Sequence, residues 1–194
     1  MEPIACNECE PLTMAESNEA AERPTEDVSV EVNGTRVTAE VEPRVKLSDF
    51  LRYKADKTDV KVGCEHGACG ACTVEIDGKT VKSCMMYAVQ ADDSEVVTST
   101  ALNEDEETLG PIQEAFHENH GLQCGFCTGG FIMATKQLLE ENPDPSEEEI
   151  VEGLSDNICR CTGYVNIIKS VKDAAERIDS PHDIKAVGHA LGDD

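Results

Sequence analysis

Apolar and polar positions alternate from Val28 onward: Val28, Val30 and Val32 share one face, Asn33-Gly34 follows, and Val37, Ala39 and Val41 resume the alternation. A period of two on both sides of Asn-Gly predicts a β-hairpin with a tight turn. Leu47 to Tyr53 reads as a short helix. Val74 and Ile76, then Asp77-Gly78, then Val81 repeat the hairpin pattern, and Glu95 to Thr98 supplies one more strand. Beyond about Asn103 the period becomes helical. Leu109, Ile112, Ala115 and Phe116 fall on one face, with Pro111 at an early helical position and Gly121 at the stop. A second helix is predicted over Gly129 to Glu141, carrying Phe131, Ile132, Ala134, Leu138 and Leu139, with Pro143 just past its end. Ser146-Glu147-Glu148-Glu149 has the form of a capping box and opens a third helix through Leu154. Its glutamates suit a helix N-terminus. A fourth runs from about Tyr164 to Ile178. These elements predict an α+β chain with an acidic, flexible tail over 1–26, a strand-rich domain over 27–103, a four-helix domain over 104–180 and a C-terminal tail over 181–194.

Eight of the ten cysteines fall on this framework in two sets of four. Cys64, Cys69 and Cys72 crowd one loop with C-x4-C-x2-C spacing, and Cys84 follows after the second hairpin. That is the plant-type ferredoxin pattern, and four thiolates so spaced hold an iron–sulfur cluster that moves single electrons. Gly63, Gly67 and Gly70 let the backbone bend around the cluster and bring its amides close to the sulfurs. A structural zinc site is the competing occupant, but its ligands usually come as two close pairs. Cys124 and Cys127, with Cys159 and Cys161, make the second set. Taken alone this C-x2-C plus C-x-C leaves zinc open. Both pairs, however, precede predicted helices, whose N-termini favour thiolates and anionic clusters. Arg160, between two of these cysteines, either adds positive charge there or pairs with a surface acid. A Rieske-type reading of Cys64-Glu65-His66 fails because neither Cys69 nor Cys72 has a neighbouring histidine. Cys6 and Cys9 form a third C-x2-C in the tail and read as a chance or redox-labile pair.

Charge and composition narrow the classes further. The chain has 194 residues and 40 Asp and Glu against 16 Lys and Arg, a formal charge of −24. Nucleic acid binding needs a basic face, and none is visible. Acids spread along the whole length predict adaptation to concentrated salt, where screening makes a dense acidic surface tolerable. No apolar run is long enough to span a bilayer, and the first residues lack the basic and apolar segments of a secretory signal. Many cysteines without export predict a reducing compartment, the cytoplasm, where they serve as ligands. There is no glycine-rich phosphate loop, and the five histidines (66, 117, 120, 182 and 189) are not paired with acids in a catalytic arrangement. Catalytic residues are therefore expected to be absent.

The run GCEHGACGACTV, then Cys84, QCGFC and CRCTGY resembles the small iron–sulfur subunit of the molybdenum hydroxylases, a family that includes carbon monoxide dehydrogenase, aldehyde oxidoreductases and xanthine dehydrogenase. The resemblance covers residues 28 to about 178. It implies a β-grasp, plant-type ferredoxin-like domain followed by a four-helix domain, each with one [2Fe–2S] cluster. It also implies a large subunit that binds molybdopterin and determines the substrate, and a medium subunit that binds FAD. Gln123, Gly125 and Cys161 match positions that lie against the pterin, while the Cys64 loop faces the flavin. The chain departs from the family at Gly129 or Gly130, where a proline is common, and in the extra tail bearing Cys6 and Cys9. Two rival readings are a free two-cluster carrier, which would purify without large subunits, and a colourless zinc-stabilised interaction module.

Overall fold

A computed structural model describes residues 23–104, 108–178 and 184. The first hairpin pairs β1 (Glu26–Val32) with β2 (Thr35–Val41) in antiparallel register. Its turn has φ +50° at Asn33 and +74° at Gly34, the two left-handed residues that match the twist of the strands. Val28, Val30 and Val32 are buried on the inner face. Helix α1 (Leu47–Tyr53) lays Leu47, Phe50 and Leu51 against them. Burying side chains of this size contributes about 1.5–3 kcal/mol each. β3 (Thr73–Ile76) and β4 (Lys79–Lys82) form the second hairpin. β5 (Glu95–Val97) enters between the hairpins, parallel to β1 and antiparallel to β3, giving the order β2-β1-β5-β3-β4. This mixed sheet crossed by α1 is the α+β half the sequence pattern predicts.

One strand departs from simple alternation. All four residues of β3 are buried, Glu75 included at 5 % exposure. The face expected to meet water instead meets a helix of the second half. That helix is α3 (Thr128–Glu141), whose Lys136 donates to Glu75 and Glu140 at 2.6 Å each. Gln137 accepts from the amide of Thr80 at 3.2 Å. Polar side chains thus join β3 and β4 to α3.

The other helices are α2 (Pro111–Glu118), α4 (Glu147–Gly153) and α5 (Val165–Arg177). Their core gathers Ile112, Phe116, Phe131, Met133, Leu139, Ile150, Ile167 and Val171, and Val97 and Leu102 extend it from the end of the sheet. Ser146 caps α4 reciprocally: its hydroxyl accepts from the Glu149 amide, and Glu149 accepts from the Ser146 amide at 2.7 Å. Leu109 is the exception among the apolar positions assigned to α2. It precedes the helix, which starts at Pro111, and stands 42 % exposed.

Candidate metal centres

The loop between α1 and β3 carries Cys64, Cys69 and Cys72. It turns through three left-handed residues, Glu65 at φ +57°, Gly67 at +82° and Gly70 at +70°. This curvature directs backbone hydrogen bonds from His66, and then from Cys69 and Ala68, at the Cys64 sulfur. Against opposing burial, they bring that thiol down to about 6. The arrangement favours an anionic sulfur. Cys84 arrives on the turn after β4, tied down where the Ser83 hydroxyl donates to the Cys72 carbonyl at 2.7 Å. Burial, and next the Cys72 thiol beside it, push Cys84 up to about 11, while the Gly67 backbone opposes. Cys64 hydrogen-bonds with Cys69 and Cys84 with Cys72, so the four thiols meet as two pairs. His66 lies exposed on the same loop.

The second set has the same plan. Cys124 and Cys161 face solvent with their sulfurs 3.6 Å apart. Cys127 occupies the N-cap position of α3, without a side-chain capping bond. Burial, then the neighbouring Cys159 thiol, push Cys127 up to about 12. Burial would also raise Cys159, but hydrogen bonds from the Thr162 hydroxyl and amide, with that of the Cys161 amide, hold it below the ordinary thiol value. Cys161 is raised by its hydrogen bond with Cys124. Among the described residues no three His, Cys, Asp or Glu side chains converge on a point that would hold a single metal ion. Two thiol pairs per set suit a cluster of two irons, each taking two protein sulfurs.

The two sets touch. The Ile158 amide, next to Cys159, donates to the Cys69 carbonyl at 3.0 Å. The Asn157 side chain donates to the Gly70 carbonyl at 3.2 Å. Gly130, in the first turn of α3, packs so closely on that carbonyl that a Cβ would collide with it, which rules out any larger residue there. Phe126, between Cys124 and Cys127, lies against Gly63: a Cβ on Gly63 would meet the Phe126 ring and the Cys69 sulfur at 3.2 Å each. None of Phe126, Asn157, Ile158 or Thr162 is singled out by spacing. Their signal is neighbourhood: Phe126 stands inside QCGFC, and Thr162, Gly163 and Tyr164 directly follow the last cysteine pair.

Gln123 and Cys161 are exposed, and Gly125 turns between Cys124 and Phe126 at φ +79° with open space where a Cβ would stand. Arg160 is exposed and makes no ion pair among the described residues. Cys6, Cys9, His182 and His189 lie outside the described residues.

Two family models match the chain, overlapping over residues 98–109. A 2Fe-2S iron-sulfur cluster binding domain matches residues 30–109, and a [2Fe-2S] binding domain matches residues 98–172. The nicotine 6-hydroxylase small subunit of Paenarthrobacter nicotinovorans is 49 % identical over 152 residues, 78 % of this chain and 91 % of that one. The caffeine dehydrogenase subunit gamma of Pseudomonas sp. (strain CBB1) is 47 % identical over 151 residues, covering 76 % and 90 %. In the crystal structure of quinoline 2-oxidoreductase from Pseudomonas putida 86, one chain superposes with a TM-score of 0.75 at 42 % identity, over 78 % of this chain and 94 % of that one. The chain belongs to the iron–sulfur small subunits of the molybdenum hydroxylases. It is the iron–sulfur subunit of an oxidoreductase, with two domains of the kind that bind [2Fe–2S] clusters.

Proposed function

We propose that this chain is an electron relay. It passes single electrons from molybdopterin in a large subunit to FAD in a medium subunit, through one cluster held by Cys124, Cys127, Cys159 and Cys161 and another held by Cys64, Cys69, Cys72 and Cys84. When bound, the clusters supply one-electron capacity at each site. The remaining work belongs to the chain. Cys124 and Cys161, with Gln123 and Gly125, form the exposed edge that receives the pterin-bearing partner. The Ile158 amide and Cys69 carbonyl join the two sites without intervening solvent. The loop from Cys64 to Cys69 forms the exit edge toward the flavin. The domains divide at about 103/104, and the complex works in the cytoplasm.

The observation that carries this reading is the 3.0 Å hydrogen bond from Ile158 to Cys69. It places one cysteine set a single hydrogen bond from the other, an arrangement a relay needs and a purely structural metal pair does not. Cys127→Ala tests the order in the purified complex. Substrate is expected to reduce the molybdenum centre as before while flavin reduction collapses. Unchanged flavin reduction would rule the order out.

A further inference from the structure

The Cys159 sulfur is the acceptor of a small hydrogen-bonded ring. The Thr162 hydroxyl donates to it across 3.1 Å and the Thr162 amide across 3.5 Å. A hydroxyl has one proton to give. The Thr162 oxygen already accepts from the Tyr164 amide at 3.2 Å, so its own proton is free for the sulfur. Tyr164 is fixed in turn. It adopts φ +71°, an uncommon conformation for a residue with a side chain. Its phenol oxygen accepts from the Cys159 amide at 3.1 Å, and its ring meets Phe131 edge-on at 6.4 Å. Cys159 itself is 8 % exposed, so little water competes for the sulfur.

We propose that Thr162 is a positioning residue that sets the reduction potential of the cluster held by Cys124, Cys127, Cys159 and Cys161. Adding one electron to a thiolate-held cluster increases its negative charge. A donor aimed at a ligand sulfur stabilises that added charge and raises the potential. In dry surroundings the hydrogen bond is stronger than the same contact in water. Tyr164 aims the hydroxyl by occupying its acceptor side.

The inference rests on the ligand assignment proposed above, and the two fail separately. Redox titration of the full cluster-loaded chain, followed by electron paramagnetic resonance, is carried out on the unaltered protein, Thr162→Val and Thr162→Ser. Valine keeps the shape and removes the donor, whereas serine keeps the donor. The expected result is a more negative potential for this cluster in Thr162→Val, an unmoved potential for the Cys64 cluster, and near-parental values in Thr162→Ser. Equal potentials in Thr162→Val and the unaltered chain would overturn the inference, as would equal shifts in both clusters. Loss of the cluster in Thr162→Val alone would also overturn it, because the hydroxyl would then serve assembly. A single [2Fe–2S] signal in the unaltered chain at full iron loading would instead overturn the ligand assignment.

Discussion

Asn157 and Gly70 lie in different halves of the chain, yet the Asn157 side chain donates to the Gly70 carbonyl at 3.2 Å inside a contact that leaves Asn157 only 3 % exposed. The same carbonyl accepts from the Thr73 amide at 3.1 Å and its hydroxyl at 2.7 Å. One oxygen within the first cysteine loop therefore anchors both β3 and the segment leading to Cys159. Asn157→Leu keeps the volume and removes the donor. Because Thr73 still satisfies the carbonyl, the expected cost is near the lower end of a lost buried hydrogen bond, about 1 kcal/mol. Denaturant unfolding of the cluster-loaded chain measures it, and stability at or above the parent's would contradict the anchoring role.

Among the described residues, Lys136 is the one cation buried between the sheet and α3, paired with Glu75 at 6 % side-chain exposure and with Glu140 at 35 %. Lys136→Met leaves the Glu75 carboxylate buried without its partner, which costs about 3–5 kcal/mol. Adding Glu75→Leu is expected to recover most of that loss, since an apolar pair of similar volume is often as stable. A double variant no more stable than Lys136→Met would contradict this account.

The same group predicts a dependence on alkaline pH. Burial alone would lower the Lys136 ammonium, but hydrogen bonds with Glu140 and Glu75 outweigh it and hold it above the ordinary 10.5. A pKa raised on folding stabilises the native state below the unfolded value, and that contribution disappears as pH rises through the folded one. Thermal midpoints are therefore expected to fall above pH 10.5 in the parent, more steeply than in the Lys136→Met, Glu75→Leu variant. Parallel profiles would show that Lys136 is not responsible.

Local signals made much of this fold legible. Asn33-Gly34 and Asp77-Gly78 marked the hairpins because their positive φ is a property of those residues, and Ser146 with Glu149 marked a helix start through bonds only three positions apart. Cys64, Cys69 and Cys72 were legible as neighbours because they share one short loop, whereas the approach of Cys161 to Cys124, 37 positions apart, was not fixed by spacing. The burial of Glu75 was not legible, since it depends on α3, some sixty positions away, covering the outer face of β3. Nor was the Ile158–Cys69 bond, a backbone contact that carries no side-chain signature. Leu109 shows the converse: it fits the helical period but lies two positions before Pro111, where the helix starts.

The acidic surface carries its own prediction. At −24 the described ion pairs are mostly exposed, such as Arg36 with Asp93 and Lys172 with Glu147, and pairs so open to water contribute little to stability. Repulsion among the remaining carboxylates is screened within about 3 Å at 1 M salt, against about 10 Å at 0.1 M. The fold and its clusters are expected to survive heating better in molar salt than in dilute buffer. Equal retention in both would remove the salt-adaptation reading.

The relay depends on two di-iron centres in one chain. Iron and acid-labile sulfide analysis of anaerobically purified protein, with electron paramagnetic resonance after dithionite reduction, tests this most directly. The account predicts about four iron and four sulfide per chain and two distinguishable paramagnetic species, one for each cysteine set. Zinc in place of iron, or a single species at full iron loading, would contradict it.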